Sequence, residues 1–414
     1  MSVDKKMYDV FKGLLSGKQV STLSSEVLLS CVAQKSLSGL GNSCEVYVLH
    51  DPSSIRKPES SSMEYLDKVH SLKGGVVNGY QSMNSIAVHP FTQQVHLLAH
   101  RLYSSNEPTY LSQKDVKDVA SLDEAGKALL DSATYINTQV LYKDHLRQSS
   151  SLLKSEDASR QVCHIADREF DDASHFAYID DLGDSFVTRL KLSRLSNERK
   201  TVYTATGKIS KKVVYKKLID KGFAQQGTYQ IAKLTIKNKT YQQVTCYLEW
   251  EPLKIGDRSY NVVRITLKQG NKTIFAHPML LITNREVKSL EQAKQIYTAY
   301  ILRFKIEIVF KFLKQELGWE SFQIQDFNSI KNIVALAFFL LGYFKELEDE
   351  LKDHPTTQTL AQLAQAKGKI TLYYLMKGLK KLAHFQEVRK WMNQNDIDEK
   401  QVEQMIQYLK TQTE

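Results

Sequence analysis

The chain has 414 residues, 42% of them hydrophobic and 10% aromatic, which is enough apolar matter for a substantial core and more than one structural unit. Its longest apolar run, Ile333 to Phe344, covers 12 residues against the roughly 20 a membrane helix needs, and the N-terminus MSVDKKMYDVFKGLL has no continuous apolar stretch followed by a small-residue cleavage site, so a soluble cytoplasmic protein without a membrane partner is expected. The net charge of +10 is uneven: from Lys191 to Thr240, 13 Lys/Arg stand against 2 acidic residues, a density that attracts a polyanion such as nucleic acid or else forms a solvated lysine-rich surface.

The first forty-odd residues read as helix, with Val10, Phe11, Leu14, Leu15 and then Val27, Leu28 and Leu29 at suitable spacings. CEVYVLHD is a β-rich run that delivers Asp51 to a loop edge, because DPSSIRKP carries turn residues. SMNSIAVHPFTQQVHLLAHRLYS predicts two strands joined at His89-Pro90, and Leu122 to Leu146 has helical periodicity. His96 and His100 fall on the second of those strands and suit a structural role, while Cys31, Cys44, Cys163 and Cys246 form no C-x-x-C pair and so argue against a zinc site or a disulfide framework. QVCHIADREF is a further strand ending at Asp167, and DDASHFAYIDDL continues as a helix with an acidic start. From Lys191 to Arg285, alternating runs such as KKVVYKKL, YQIAKLTI and YNVVRITL predict a basic, β-rich insertion. Helix resumes at SLEQAKQIYTAY and continues through the apolar run near Phe344, and 349–414 is amphipathic helix.

Within YTAYILRFKIEIVFKFLKQEL, Tyr300, Arg303, Glu307 and Lys314 fall within a narrow arc of one helix face at about 100° per residue. The remaining faces are apolar, which predicts a single buried helix whose polar arc faces a site. A carboxylate beside a phenol, a guanidinium and an ammonium suits a metal ion next to a phosphate, with Glu307 as ligand and Arg303 and Lys314 on phosphate oxygens. The element order is that of an α/β ribonuclease-H-like core, a mixed sheet with flanking helices, in which Asp51, Asp167 and Glu307 could converge. The corresponding division is 1–43 helical, 44–190 core, 191–285 insertion, 286–345 core with the catalytic helix, and 346–414 helical. Taken singly, each feature has a plainer explanation: a salt-bridge ladder for Tyr300, Arg303 and Glu307, a helix cap for Asp167, a turn residue for Asp51. Their joint order favours the site.

These residues resemble the bacterial insertion-sequence transposases of the DDE class, in the family-four group marked by Y-(2)-R-(3)-E-(6)-K, which Tyr300, Arg303, Glu307 and Lys314 match without a gap. Asp167-Arg168-Glu169 with Asp171 matches the D-R-E-x-D run of that group, and Asp51 lies in a looser D-x-S-x-I-x-K-P setting. The resemblance implies cut-and-paste transposition through two Mg²⁺ ions, replaceable by Mn²⁺, held by Asp51, Asp167 and Glu307, with end nicking, hairpin formation and opening, and strand transfer. It further implies double-stranded DNA partners (inverted-repeat ends and target), a homodimer with contacts from the last helices, and a nucleoid-associated location when bound. Met279, before L-L-I-T, stands where relatives carry a hairpin wedge, while Trp250 and Trp319 are either catchers of a flipped base or core residues. Tyr300, Arg303, Lys314 and Arg168 would hold phosphate, and Lys211, Lys212, Lys216 and Lys217 would line the DNA. Only 50 residues precede Asp51, so end recognition comes from a compact unit or from the insertion, or the copy is truncated. A ribonuclease-H-like nuclease or resolvase, and a decayed DNA-binding remnant, are the alternatives.

Overall fold

Strand β1 (Glu45–Arg56) is built from apolar residues on both faces, as a strand covered from two sides requires. A computed structural model describes residues 25–404 except 42, 72–73, 204–208, 237–238, 350–351, 369, 396–397 and 399, and gives backbone alone at 38, 197–203 and 209–215. The expected helical positions Val10, Phe11, Leu14 and Leu15 and the side chains of Lys211 and Lys212 lie outside the described residues.

Helix α1 (Ser25–Leu40) precedes β1, and β2 (Asp67–His70), β3 (Val76–Val88) and β4 (Val95–Tyr103) follow it. Two short helices, α2 (Gln113–Lys117) and α3 (Glu124–Asp131), lead to α4 (Thr138–Glu156), and then come β5 (Gln161–Ala166), α5 (Ala173–Asp181) and β6 (Ser185–Arg189). In space the order is β4-β3-β1-β5-β6, with β3 antiparallel to both β4 and β1, and β5 parallel to both β1 and β6. This is a mixed sheet consistent with a ribonuclease-H-like core. The basic stretch contributes β7 (Leu195–Tyr203) and β8 (Ile209–Lys217), which pair as a separate two-stranded sheet. The strands after it, β9 (Gln225–Ile236), β10 (Lys239–Ile255), β11 (Arg258–Gln269), β12 (Lys272–Thr273) and β13 (Met279–Thr283), join the main sheet through β13 and β6. Eleven strands therefore share one sheet among the described residues. Helices α6 (Leu290–Ile301), α7 (Phe304–Gln315), α8 (Phe327–Asp349), α9 (Pro355–Leu363) and α10 (Leu372–Gln394) complete the chain.

The strand faces sort the helices. Leu49, Ile165, Val187 and Leu281 pack with Ile296, Ile306, Val309 and Phe312 of α6 and α7 and with Val334, Phe338 and Leu341 of α8. On the other face, Ala166, Phe186 and Ile282 meet Leu141, Tyr142 and Leu146 of α4 and Phe176 and Ile179 of α5. Each Val, Leu, Ile or Phe among these contributes about 1.5–3 kcal/mol on full burial. Helix α8 is long and apolar enough to cross a membrane by length and composition, but half of its most apolar window is buried in this core.

Two expectations are corrected. β1 does not stop at Asp51 but runs through Pro52 to Arg56, still paired with β3. Its pairing with β5 ends at His50, so Pro52 sits where β1 has one neighbour and its missing N–H breaks no second ladder. The segment around Arg303 is two helices rather than one: α6 ends at Ile301, α7 starts at Phe304, and the junction carries i→i−3 bonds, Arg303 N–H to Tyr300 O at 3.0 Å and Ile306 N–H to Arg303 O at 3.1 Å. Nor is it buried all round, since Ile301, Phe304 and Ile308 are 48%, 60% and 42% exposed.

Behind β1, on the α4 side, a buried polar chain crosses the sheet. Ser85 Oγ lies 2.8 Å from His145 Nδ1 and 2.7 Å from His50 Nδ1, His50 Nε2 lies 2.9 Å from His164 Nδ1, and His164 Nε2 lies 3.1 Å from Asp184 Oδ2. Lys154 Nζ closes the chain on Asp184 Oδ1 at 2.7 Å. Burial, with His164 and His145 adjacent, pushes the His50 imidazole well below its usual range, so it is neutral. The chain ties β3, β1, β5 and α4 in one register. Asp184→Ala should therefore cost about 3–5 kcal/mol in urea unfolding, and a loss below about 1 kcal/mol would mean that the chain does not hold the sheet.

Candidate active site

Register brings the two aspartates together. His50 pairs with Ala166 across parallel β1 and β5, and Ala166 with Thr188 across β5 and β6, so the next residues, Asp51, Asp167 and Arg189, stand abreast at the ends of that pairing. By strand alternation they share the face of Leu49, Ile165 and Val187, which looks toward α6 and α7. On β13, Leu281 pairs with Arg189, and Met279 is two residues further out on the same face and partly buried.

The 3₁₀-like junction then supplies the other half. In such a turn residues i and i+3 eclipse, so Tyr300 and Arg303 stack along one line, and Glu307 follows one helical turn later. The Tyr300 hydroxyl donates to Asp167 Oδ1 at 3.1 Å. The Arg303 guanidinium spans two carboxylates, with Nη1 3.2 Å from Asp51 Oδ1 and Nη2 2.5 Å from Glu307 Oε1. Asp167 Oδ1 also accepts the Arg168 N–H at 2.8 Å and has Arg189 Nη1 at 3.9 Å. Asp167 is thus both a cap and a member of the site.

The charges perturb one another. Burial pushes the Asp51 carboxyl up to about 7; Arg303 opposes this, while Asp167, Glu307 and Glu169 reinforce it. Burial raises the Tyr300 phenol, and Asp167 adds to that. Burial disfavours the charged form of Arg303, but the Asp51, Tyr300, Asp167 and Glu307 oxygens more than offset it and leave its value raised.

Other expected site residues lie elsewhere. Lys314 is not beside Arg303: its ammonium donates to Ser54 O at 2.8 Å and lies 3.6 Å from Glu320 Oε1, and burial lowers its pKa. The reason is the length of β1, which carries acceptors past Asp51 to where Lys314 emerges about two helical turns beyond Glu307. Trp319 is 1% exposed among His100, Phe310 and Phe338, and Trp250 is buried in the same core, so neither indole is presented to a base. Arg168 is exposed, and Lys216 and Lys217 are exposed on β8 in the separate two-stranded sheet. Sequence reading missed Arg189, whose place depends on strand register, and named Glu169 in a motif without giving it a role, although its charge reaches Asp51. It also missed Glu320, which accepts Arg56 Nε at 3.1 Å and so anchors the end of β1.

Hard carboxylate oxygens on adjacent strands are the donor set a divalent cation takes. Among the described residues no three His, Cys, Asp or Glu side chains form a finished ligand cluster. A cationic guanidinium nevertheless lies between Asp51 and Glu307, so the charge and chemistry of the site fit a metal ion.

Because folding raises the Asp51 pKa from 3.8 to about 7, the folded state holds a proton that the unfolded chain releases, and stability is lost as pH rises through that window. Asp51→Asn should accordingly stabilise the protein by about 1–3 kcal/mol near pH 8, with the gain vanishing toward pH 4 in denaturant titrations. A pH-independent difference would contradict the assigned burial cost.

No curated protein matches the chain. The family described as Transposase DDE domain matches residues 42–342, a span that contains Asp51, Asp167, Tyr300, Arg303, Glu307 and Lys314. With most of its length in that match, the chain belongs to the DDE-domain transposase family.

Proposed function

We propose that the protein is a metal-dependent cut-and-paste DNA transposase in which Asp51, Asp167 and Glu307 form the catalytic triad. The observation that carries this reading is the juxtaposition of Asp51 and Asp167 by strand register, with Glu307 linked to Asp51 through one guanidinium. Bound Mg²⁺ or Mn²⁺, two ions in this reading, would supply an activated water or 3′-hydroxyl and stabilise the leaving oxygen. In the first step a water oxygen bonds to phosphorus, the P–O3′ bond breaks, and the 3′-hydroxyl leaves with a proton. That hydroxyl then attacks the phosphorus of the opposite strand, closing a hairpin as the P–O3′ bond to the flanking DNA breaks and releases a flanking 3′-hydroxyl; water reopens the hairpin at the newly formed P–O3′ bond, and the freed 3′-hydroxyl attacks a target phosphorus, expelling the target's own 3′-hydroxyl.

The chain's own residues orient these steps. Tyr300 holds Asp167 in place, Arg303 presents a planar fork suited to a phosphate, the exposed Arg168 adds charge along the DNA path, and Lys314 braces the end of β1 behind them. Met279 is the hairpin wedge in this reading, supported by its position on the face and edge of the sheet shared with the aspartates. The β7–β8 hairpin, with Lys211, Lys212, Lys216 and Lys217, binds the DNA backbone of the element's ends, so affinity should fall steeply with salt. Exposed apolar residues that wind around the C-terminal half of α10, Leu379, Leu382, Phe385, Val388 and Trp391, offer a surface for a homodimer acting in the cytoplasm on the nucleoid.

With labelled element-end DNA and Mg²⁺ or Mn²⁺, wild-type protein should give nicks and hairpins, and Glu307→Gln or Asp167→Asn should lower nicking by about 10³-fold or more. Nicks without hairpins or joined products would make the protein a ribonuclease-H-like nuclease or resolvase, and binding without cleavage a DNA-binding remnant.

A further inference from the structure

Arg303 holds the oxygens that a catalytic metal would need. Its side chain is 16% exposed, and its two terminal nitrogens are engaged by Asp51 Oδ1 and Glu307 Oε1. A guanidinium and a divalent cation repel each other and cannot share those two oxygens at contact distance. The same planar fork matches the oxygens of a phosphodiester equally well. Its root also lets the fork turn: Arg303 is the N-terminal cap residue of α7, just after Leu302 at the junction with α6, with no side-chain cap bond to the helix end, and its partner Glu307 is 43% exposed.

We propose that Arg303 is a latch on the metal site: it neutralises Asp51 and Glu307 in the protein alone and hands them over only when a DNA phosphate draws its guanidinium away. This rests on the transposase reading of the site. Metal loading then follows DNA engagement, and Tyr300, eclipsed with Arg303 one tight turn earlier, keeps Asp167 positioned throughout. By linkage the coupling is reciprocal, so divalent metal tightens DNA binding by the factor by which DNA tightens metal binding.

The test is Mn²⁺ affinity of the DNA-free full chain, read from the electron paramagnetic resonance signal of free Mn²⁺, for wild type, Arg303→Gln and Arg303→Lys. Arg303→Gln should bind Mn²⁺ about tenfold more tightly than wild type, with Arg303→Lys, which keeps the charge but cannot span both carboxylates, in between. In a second arm, fluorescence anisotropy with a short duplex should show Ca²⁺ tightening DNA binding by wild type about tenfold and by Arg303→Gln much less. Equal or weaker Mn²⁺ binding by both variants, with folding verified by circular dichroism, overturns the latch. Adding Asp167→Asn to each protein separates the two ideas: Mn²⁺ binding that survives it overturns the metal-site reading itself, whereas Asp167-dependent binding of equal strength in wild type and Arg303→Gln overturns the latch alone.

Discussion

The parallel pairing of β1 with β5 is the constraint on which the site depends. With His50 opposite Ala166, the following residues must be adjacent, and both are aspartates. Two carboxylates held side by side near a core repel each other and lose solvent, and the elevated Asp51 pKa records that cost. Burial of Leu49, Ile165 and Val187 on the same strands offsets it, and on the reverse face the chain from His145 to Lys154 fixes the register with polar bonds rather than packing alone. A slip of one residue would turn Asp51 away from Asp167 and break the bonds that His50 makes to Ser85 and His164.

The second determinant is the tight junction between α6 and α7. A continuous α-helix would set Tyr300 and Arg303 about 60° apart, whereas the i→i−3 bonding brings them into line, so the phenol reaches Asp167 while the guanidinium reaches Asp51 and Glu307. The apolar residues Ile301, Phe304 and Ile308 fall on the outer side of this junction and remain exposed beside the charged cluster. Arg303 is the hinge of the electrostatics: it touches a carboxylate from the sheet and one from the helix.

Much of this was legible in the residues. Apolar runs in CEVYVLHD, QVCHIA and SFVTR identify buried strands, Asp167 marks the end of one of them, and the Tyr-Arg-Glu-Lys spacing isolates one helix face. What stayed hidden was set by tertiary pairing. Pro52 reads as a turn because sequence does not reveal that β1 has lost its β5 neighbour there. The junction at Leu302 and Arg303 leaves no trace because both residues keep helical dihedrals and only the bond partners change. Lys314 keeps its helical spacing from Glu307 but meets the extended end of β1 and Glu320, and Arg189 acquires its place only through the β5–β6 register. Alternation along β10, with Val244, Cys246, Leu248 and Trp250 inward, predicts strands but not that they extend the central sheet through β13.

The most direct measurement is the anomalous scattering of Mn²⁺ in crystals of the protein bound to double-stranded DNA. The predicted result is manganese coordinated by carboxylate oxygens of Asp51 and Asp167, with Glu307 in the same cluster and the Arg303 guanidinium on a phosphate. Manganese bound elsewhere, or Asp51 and Asp167 without a shared ion beside the DNA, would contradict a metal-dependent transposase centre at this site.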